Sequence, residues 1–158
     1  MNKIYSNVEN SIPTKIRYYV DGKQFMREDL EEIDKIDSSL ISDKDLKAYI
    51  KKFDVFVFSD YQKGLLTKKL IDKFIKVCNQ KGKTIIVDPK NIDLGYYKNS
   101  TIITPNQKEL LGKNEEVVNN NTIEKVSKKL IKNFGFQSVV TTRGSEGISV
   151  IRKNGENF

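Results

Sequence analysis

Four polar clusters in this 158-residue chain carry residue types suited to phosphate groups and hard cations. Asn106 and Glu109 stand one helical turn apart in PNQKE. There the free amides of a helix start attract anions, and a carboxylate can help hold a hydrated Mg²⁺. Asp60 and Lys63 follow the apolar run Val55–Phe58 in SDYQKG, and Lys90 closes VDPK. Thr142, Gly144 and Gly147 lie in TTRGSEG between two apolar segments, a backbone-rich edge able to border a nucleotide. Each cluster also has a plainer reading. PNQKE is a helix start with an acidic first turn, SDYQKG a solvated loop, Pro89-Lys90 a turn, and TTRGSEG a hairpin with glycines at positive φ.

Composition narrows the chemistry. The chain contains no histidine, so it holds no Ser-His-Asp or Cys-His set and no histidine-ligated metal. Carboxylates, lysines, backbone amides and hard cations remain, and phosphoryl transfer is the largest class that uses them. The single cysteine, Cys78, lies on the apolar face of a predicted helix and reads as core, in keeping with a reducing cytoplasm. The net charge of +7 invites a nucleic-acid reading. The lysines are nevertheless scattered, often beside Asp or Glu, so a solvated surface is expected and nucleic acid is not. No apolar run is long enough to span a bilayer, so no membrane partner is expected. Gly82-Lys83-Thr84 resembles the tail of a phosphate-binding P-loop, but it leads from helix into strand, the wrong direction for a helix N-terminus to face phosphate.

The elements that must position these clusters alternate. Val55–Phe58, four apolar residues in a row, reads as a strand buried on both faces of a parallel sheet. Ligands bind beyond the carboxyl ends of such strands. Before it, Ser42 opens a helix carrying Leu46, Ile50 and Phe53 on one face. After it, Thr67 caps a helix with Leu70, Ile71, Phe74, Ile75, Val77 and Cys78, which ends near Gly82. TIIVD is the next strand, completing a βαβ unit, and Thr101–Thr104 another. Thr104, Pro105 and Gln107 then read as cap, first turn and capping-box partner of a helix. Thr122 caps the last helix, and SVVTT and ISVI are strands. At the front, TKIRYYV and KQFMR flank Asp21-Gly22, a strong hairpin signal, with Ile16, Tyr18 and Val20 on one face. Residues 1–13 read as an irregular entry and 28–42 as an acidic connector. A lone ribbon is marginal, so the hairpin should lean on a ligand, the body or a second subunit.

SDYQKG, VDPK, TPNQKEL and TTRGSEG, in that order and behind an amphipathic hairpin, resemble the ribokinase-like (PfkB) carbohydrate kinases over about Thr14 to Val150. Within that family the likeness is nearest to the kinases that phosphorylate D-glycero-β-D-manno-heptose 7-phosphate at C1, on the way to the ADP-heptose of lipopolysaccharide. The resemblance implies an α/β fold with a mainly parallel sheet and flanking helices, a hairpin lid in residues 1–30 and a partial kinase core in 31–158. It implies ATP and Mg²⁺ as cofactors, with Glu109 at the metal and Asn106, Thr142, Gly144 and Gly147 at the nucleotide. Asp60, Lys63 and Lys90 would face the sugar phosphate, and the hairpin would form a homodimer contact.

One signature of that family, G-A-G-D, supplies an anion hole and the Asp that takes the hydroxyl proton. No G-x-G-D occurs in these residues, and the glycine-rich part expected before the hairpin is missing too. The expectation is a central kinase fragment, natural or truncated, that holds no catalytic base and is inactive alone. A non-catalytic nucleotide or sugar-phosphate binding module on the same scaffold is the alternative, and a basic nucleic-acid binder is the third reading.

Overall fold

The computed structural model describes residues 14–30, 41–90, 93–112 and 119–155. The irregular entry, most of the acidic connector and part of the polar run before the last helix lie outside them. Among the described residues there are four α-helices and seven strands, the strands forming two sheets. These are a two-stranded ribbon, β1 (Thr14–Val20) with β2 (Lys23–Leu30), and a five-stranded sheet in the order β3-β4-β5-β6-β7. The latter comprises β3 (Val55–Ser59), β4 (Thr84–Asp88), β5 (Ile102–Ile103), β6 (Ser138–Thr142) and β7 (Ile148–Arg152). The first four strands run parallel and β7 returns antiparallel. This is the α/β class that the alternation predicts.

The helices begin where side chains can cap them. α1 (Asp43–Lys52) starts at Ser42, whose hydroxyl accepts from the Asp45 amide at 3.1 Å. Leu46 and Ile50 are buried as expected, but Phe53 falls just past the helix and is exposed, because the chain there has turned into extended backbone. α2 (Lys68–Gln80) starts at Thr67 and buries Leu70, Ile71, Phe74, Ile75 and Cys78. Two starts differ from expectation. The cap of α3 (Gln107–Leu111) is Asn106, not Thr104, and the cap of α4 (Asn120–Phe134) is Asn119, not Thr122. In both places an Asn carbonyl reaches an amide three residues on, at 2.9 and 2.8 Å. Thr104 instead donates its hydroxyl to the Val87 carbonyl of β4. α4 ends at Gly135, φ 75°, a left-handed position where a Cβ would meet the Asn99 side chain at 2.6 Å.

Each parallel step moves one strand further the same way across the sheet, and crossovers of one hand then fall on one face. That face carries the core: Phe58, Ile85, Val87, Ile103, Val139 and Ile151, packed under residues of α1, α2, α3 and α4. Among the described residues the opposite face is less covered. Val55, Val57 and Ile148 are exposed there, and Ile86, Ile102, Val140 and Val150 are half-buried. The expectation that β3 is buried on both faces is thus corrected. Among the described residues β3 is the sheet's edge strand, and Phe56 and Phe58 turn toward the core, where they meet the Phe74 ring at 6.2 and 5.6 Å.

The ribbon turns at Asp21 and Gly22, both at positive φ, as a type I′ turn demands. Its second strand runs on through Glu28, Asp29 and Leu30, which the sequence assigns to the connector. Cross-strand polar pairs hold that extension. Lys15 bonds Asp29 at 3.2 Å, and the Tyr18 hydroxyl donates to Glu28 at 2.9 Å, while a bulge at Tyr18/Tyr19 shifts the register. Nearly all of the ribbon's residues are exposed.

Candidate functional site

The carboxyl ends of β3, β4, β5 and β6 lie side by side, and backbone bonds lock them. The Asp60 amide donates to the Asp88 carbonyl at 3.0 Å, Thr104 to Val87 at 2.8 Å, and Thr142 to Pro105 at 3.1 Å. Asn106 and Thr142 form a parallel bridge. Asp60, Lys90, Asn106, Glu109 and Thr142 therefore share one edge of the sheet, although 82 positions separate the first from the last.

Asn106 and Glu109 form a reciprocal capping box: Asn106 Oδ1 accepts from the Glu109 amide, and Glu109 Oε2 accepts from the Asn106 amide at 2.8 Å. The plain helix-start reading is therefore present in the structure. It leaves Glu109 Oε1, which takes the Lys90 ammonium at 3.1 Å, and the Asp88 carboxylate lies 3.8 Å from the same nitrogen. The hydrogen-bonded Glu109 carboxylate holds the Lys90 ammonium above the usual lysine range. Lys90, expected at the sugar phosphate, thus sits against the residue expected at the metal. Two carboxylates around one cation position form a hard oxygen set. That set suits a hydrated Mg²⁺ bound largely through water and phosphate, and not one caged by protein. No cluster of three or more His, Cys, Asp or Glu occurs among the described residues.

Asp60 is buried, 5% exposed. Its Oδ2 accepts from the Tyr97 hydroxyl at 2.5 Å and its Oδ1 from the Gln62 amide at 2.7 Å. The carboxylate thereby anchors the loop that follows β3, where Gln62 and Gly64 adopt positive φ. Lys63 is exposed on that loop. With Ser59, Asp60, Tyr61, Leu65 and Leu66 it lines a recess of roughly 330 Å³ that Lys15 of the ribbon closes on one side. The ribbon and the post-β3 loop therefore both contribute to this recess.

Thr142, Gly144 and Gly147 are exposed, the glycines at φ 60° and 83° around a short 3₁₀ turn. Arg143 stiffens this loop. Its guanidinium bonds Glu146 at 2.5 Å, Asn120 of α4 at 2.7 Å and Ser149 of β7 at 3.2 Å. An open polar groove lined by Asn119, Asn120, Asn121, Arg143 and Glu146 runs beside it.

Sequence reasoning passed over Tyr97, Arg143, Asn119 and Lys15. The first had a signal in Asp93-Leu-Gly-Tyr-Tyr, where Asp93 caps a 3₁₀ turn that buries Leu94 and Tyr97.

Residues 4–158 match the family model described as pfkB family carbohydrate kinase. The Bifunctional protein HldE of Syntrophotalea carbinolica is 33% identical over 147 residues, covering 90% of this chain and 30% of that protein. Escherichia coli phosphofructokinase-2 in complex with fructose-6-phosphate superposes with a TM-score of 0.62 at 16% identity, covering 91% of this chain and 49% of that one. Arabidopsis thaliana ribokinase complexed with ribose and ATP gives 0.61 at 19%, covering 74% and 37%. The chain spans about 30% of the length of the curated relative, and the likeness to the two solved kinases is one of fold.

Proposed function

This chain belongs to the PfkB family of carbohydrate kinases, and on that premise we propose that it forms the nucleotide- and cation-handling part of an ATP-dependent sugar kinase. Its substrate in this reading is D-glycero-β-D-manno-heptose 7-phosphate, phosphorylated at C1 toward ADP-heptose. The resemblance of its four motifs to the heptose kinases and its 33% identity to an HldE protein support that choice of sugar. The observation that carries the reading is the convergence of Lys90, Asn106, Glu109 and Thr142 on one sheet edge.

Phosphoryl transfer depends on positioning and on compensation of charge. Glu109 and Asp88 would hold Mg²⁺, which when bound neutralises charge on the nucleotide phosphates. Asn106 orients Glu109 through the capping box, and Thr142, Gly144 and Gly147 present backbone to the nucleotide. Lys63 and Lys15 flank the recess that would take the sugar phosphate. The reading also places the chain in the cytoplasm. Among the described residues no helix is long and apolar enough to cross a membrane. A homodimer would use the ribbon's exposed apolar face, with Tyr18, Val20, Met26 and Leu30. Against nucleic-acid binding, several lysines are paired with carboxylates on separate elements: Lys68 with Asp72, Lys83 with Asp54, Lys128 with Glu124.

A second reading, binding without turnover, is favoured by the engagement of both Asp60 oxygens, which leaves that carboxylate unsuited to take a hydroxyl proton. Calorimetric titration with heptose 7-phosphate and with fructose 6-phosphate, at saturating Mg²⁺ and a non-hydrolysable ATP analogue, tests the sugar assignment. Heptose 7-phosphate should bind at least tenfold more tightly, and equal affinity or no binding would overturn the assignment.

A further inference from the structure

Lys90 stands at the point where the metal reading needs a cation. Its Nζ lies 3.1 Å from Glu109 Oε1 and 3.8 Å from Asp88 Oδ1, so one ammonium bridges the two carboxylates. Glu109 Oε2 is held by the Asn106 amide, so Oε1 is the oxygen a metal can take without breaking the cap of α3. The two partners differ in freedom. The Glu109 side chain is 15% exposed and fixed by the cap, whereas Lys90 is 40% exposed on a long flexible stem. Tyr61 is the further titratable group that acts electrostatically on Lys90. An ammonium and a divalent ion cannot both sit at Oε1, because like charges at about 4 Å repel even in water.

Resting on the nucleotide reading above, we propose that Lys90 is a placeholder cation: it neutralises Glu109 and Asp88 before the divalent ion arrives, leaves Oε1 as the ion binds, and turns its ammonium to the phosphate. The exchange keeps the two carboxylates compensated at each stage. It also couples nucleotide binding to metal binding, since Lys90 becomes available to a phosphate only when the ion has displaced it.

The test measures free Mn²⁺ by electron paramagnetic resonance in titrations without nucleotide, on the wild-type chain, Lys90→Met, Lys90→Gln and Glu109→Gln. Thermal melts verify that each variant is folded. The neutral Lys90 variants should bind Mn²⁺ about tenfold more tightly, the scale expected when one like charge is removed at this distance, and Glu109→Gln should bind it more weakly. The same neutral variants should bind Mg-ATP several-fold more weakly in calorimetry. That opposition of sign would not arise from a merely structural salt bridge. Unchanged or weaker Mn²⁺ binding in both neutral variants, with Glu109→Gln still weakened, would overturn the placeholder and leave the metal site standing. Indifference of Mn²⁺ binding to Glu109→Gln would overturn the metal reading beneath it.

Discussion

Replacing Tyr97 by Phe removes one hydroxyl and no packing volume of consequence, which makes it a clean probe of the loop that carries Lys63. Tyr97 is fully buried and Asp60 is 5% exposed, so the carboxylate oxygen left behind has little water to turn to. A hydrogen bond to a charged group contributes about 1.5–3 kcal/mol. The burial of both groups favours the upper part of that range. A loss of about 2–3 kcal/mol is therefore expected, which in a chain of this size lowers the melting temperature by roughly 4–12 °C. Tyr96→Phe is the internal control. Its hydroxyl reaches the Leu66 carbonyl at 3.3 Å, a neutral and longer bond, and should cost less than about 1 kcal/mol. Urea denaturation with linear extrapolation reads both, and a double-mutant cycle with Asp60→Asn isolates the pair. Hydrogen exchange across residues 60–64 should quicken more in Tyr97→Phe than in Tyr96→Phe. A change under about 0.5 kcal/mol, additive with Asp60→Asn, would refute the reasoning. It would mean that the Asp60 carboxylate is hydrated and available to a substrate after all.

Burial pushes the Cys78 thiol up from 9.0 to about 11. A folded pKa above the unfolded one contributes stability that is full below about pH 9 and lost as pH rises through about 11. Urea stability should fall across that window, and Cys78→Ala should flatten the fall; a pH profile identical to wild type would contradict it. Val57, exposed on the less covered sheet face, should accept Lys with a stability change within about 0.5 kcal/mol while dye binding to exposed apolar surface and aggregation decrease; a loss above 2 kcal/mol would show that the face is covered. Amides of the ribbon should exchange fast in dilute chain and slow with rising concentration or added heptose 7-phosphate; strong protection under all conditions would show that the ribbon is stable by itself. A coupled ADP-release assay should find no sugar-dependent turnover by residues 1–158 alone, whereas rates in the usual kinase range of about 1–100 s⁻¹ would require another base.

Legibility followed the reach of the signal. Caps and periodicity act within a few residues, so α1, α2, β4, β6, β7 and the Asp21-Gly22 turn were readable, and Cys78 was placed in the core correctly. The four motifs in order made the PfkB likeness readable too. What depends on contacts across the chain was not. The VFVF run of β3 is apolar enough for a doubly covered strand, and only the strand order shows that among the described residues it lies at an edge with Val55 and Val57 exposed. The Tyr97–Asp60 bond spans 37 positions and the Lys90–Glu109 pair 19. Neither leaves a local mark, so neither pairing was legible in the sequence. At α3 two capping arrangements overlapped in Thr-Pro-Asn-Gln-Lys-Glu. Asn106 with Glu109 prevailed because both halves of the reciprocal box could form.

The central claim is that Asn106 and Glu109 organise a divalent ion and nucleotide on this sheet edge. Isothermal titration of ATP into the wild-type chain and Glu109→Gln, with and without Mg²⁺, tests it most directly. Gln can keep the capping box, so the variant should stay folded and any loss of binding should report the charge. Mg²⁺-dependent ATP binding that weakens by about tenfold or more in Glu109→Gln is the predicted result. Affinity that is the same in both chains, or that ignores Mg²⁺, would reduce the motif to the start of a helix.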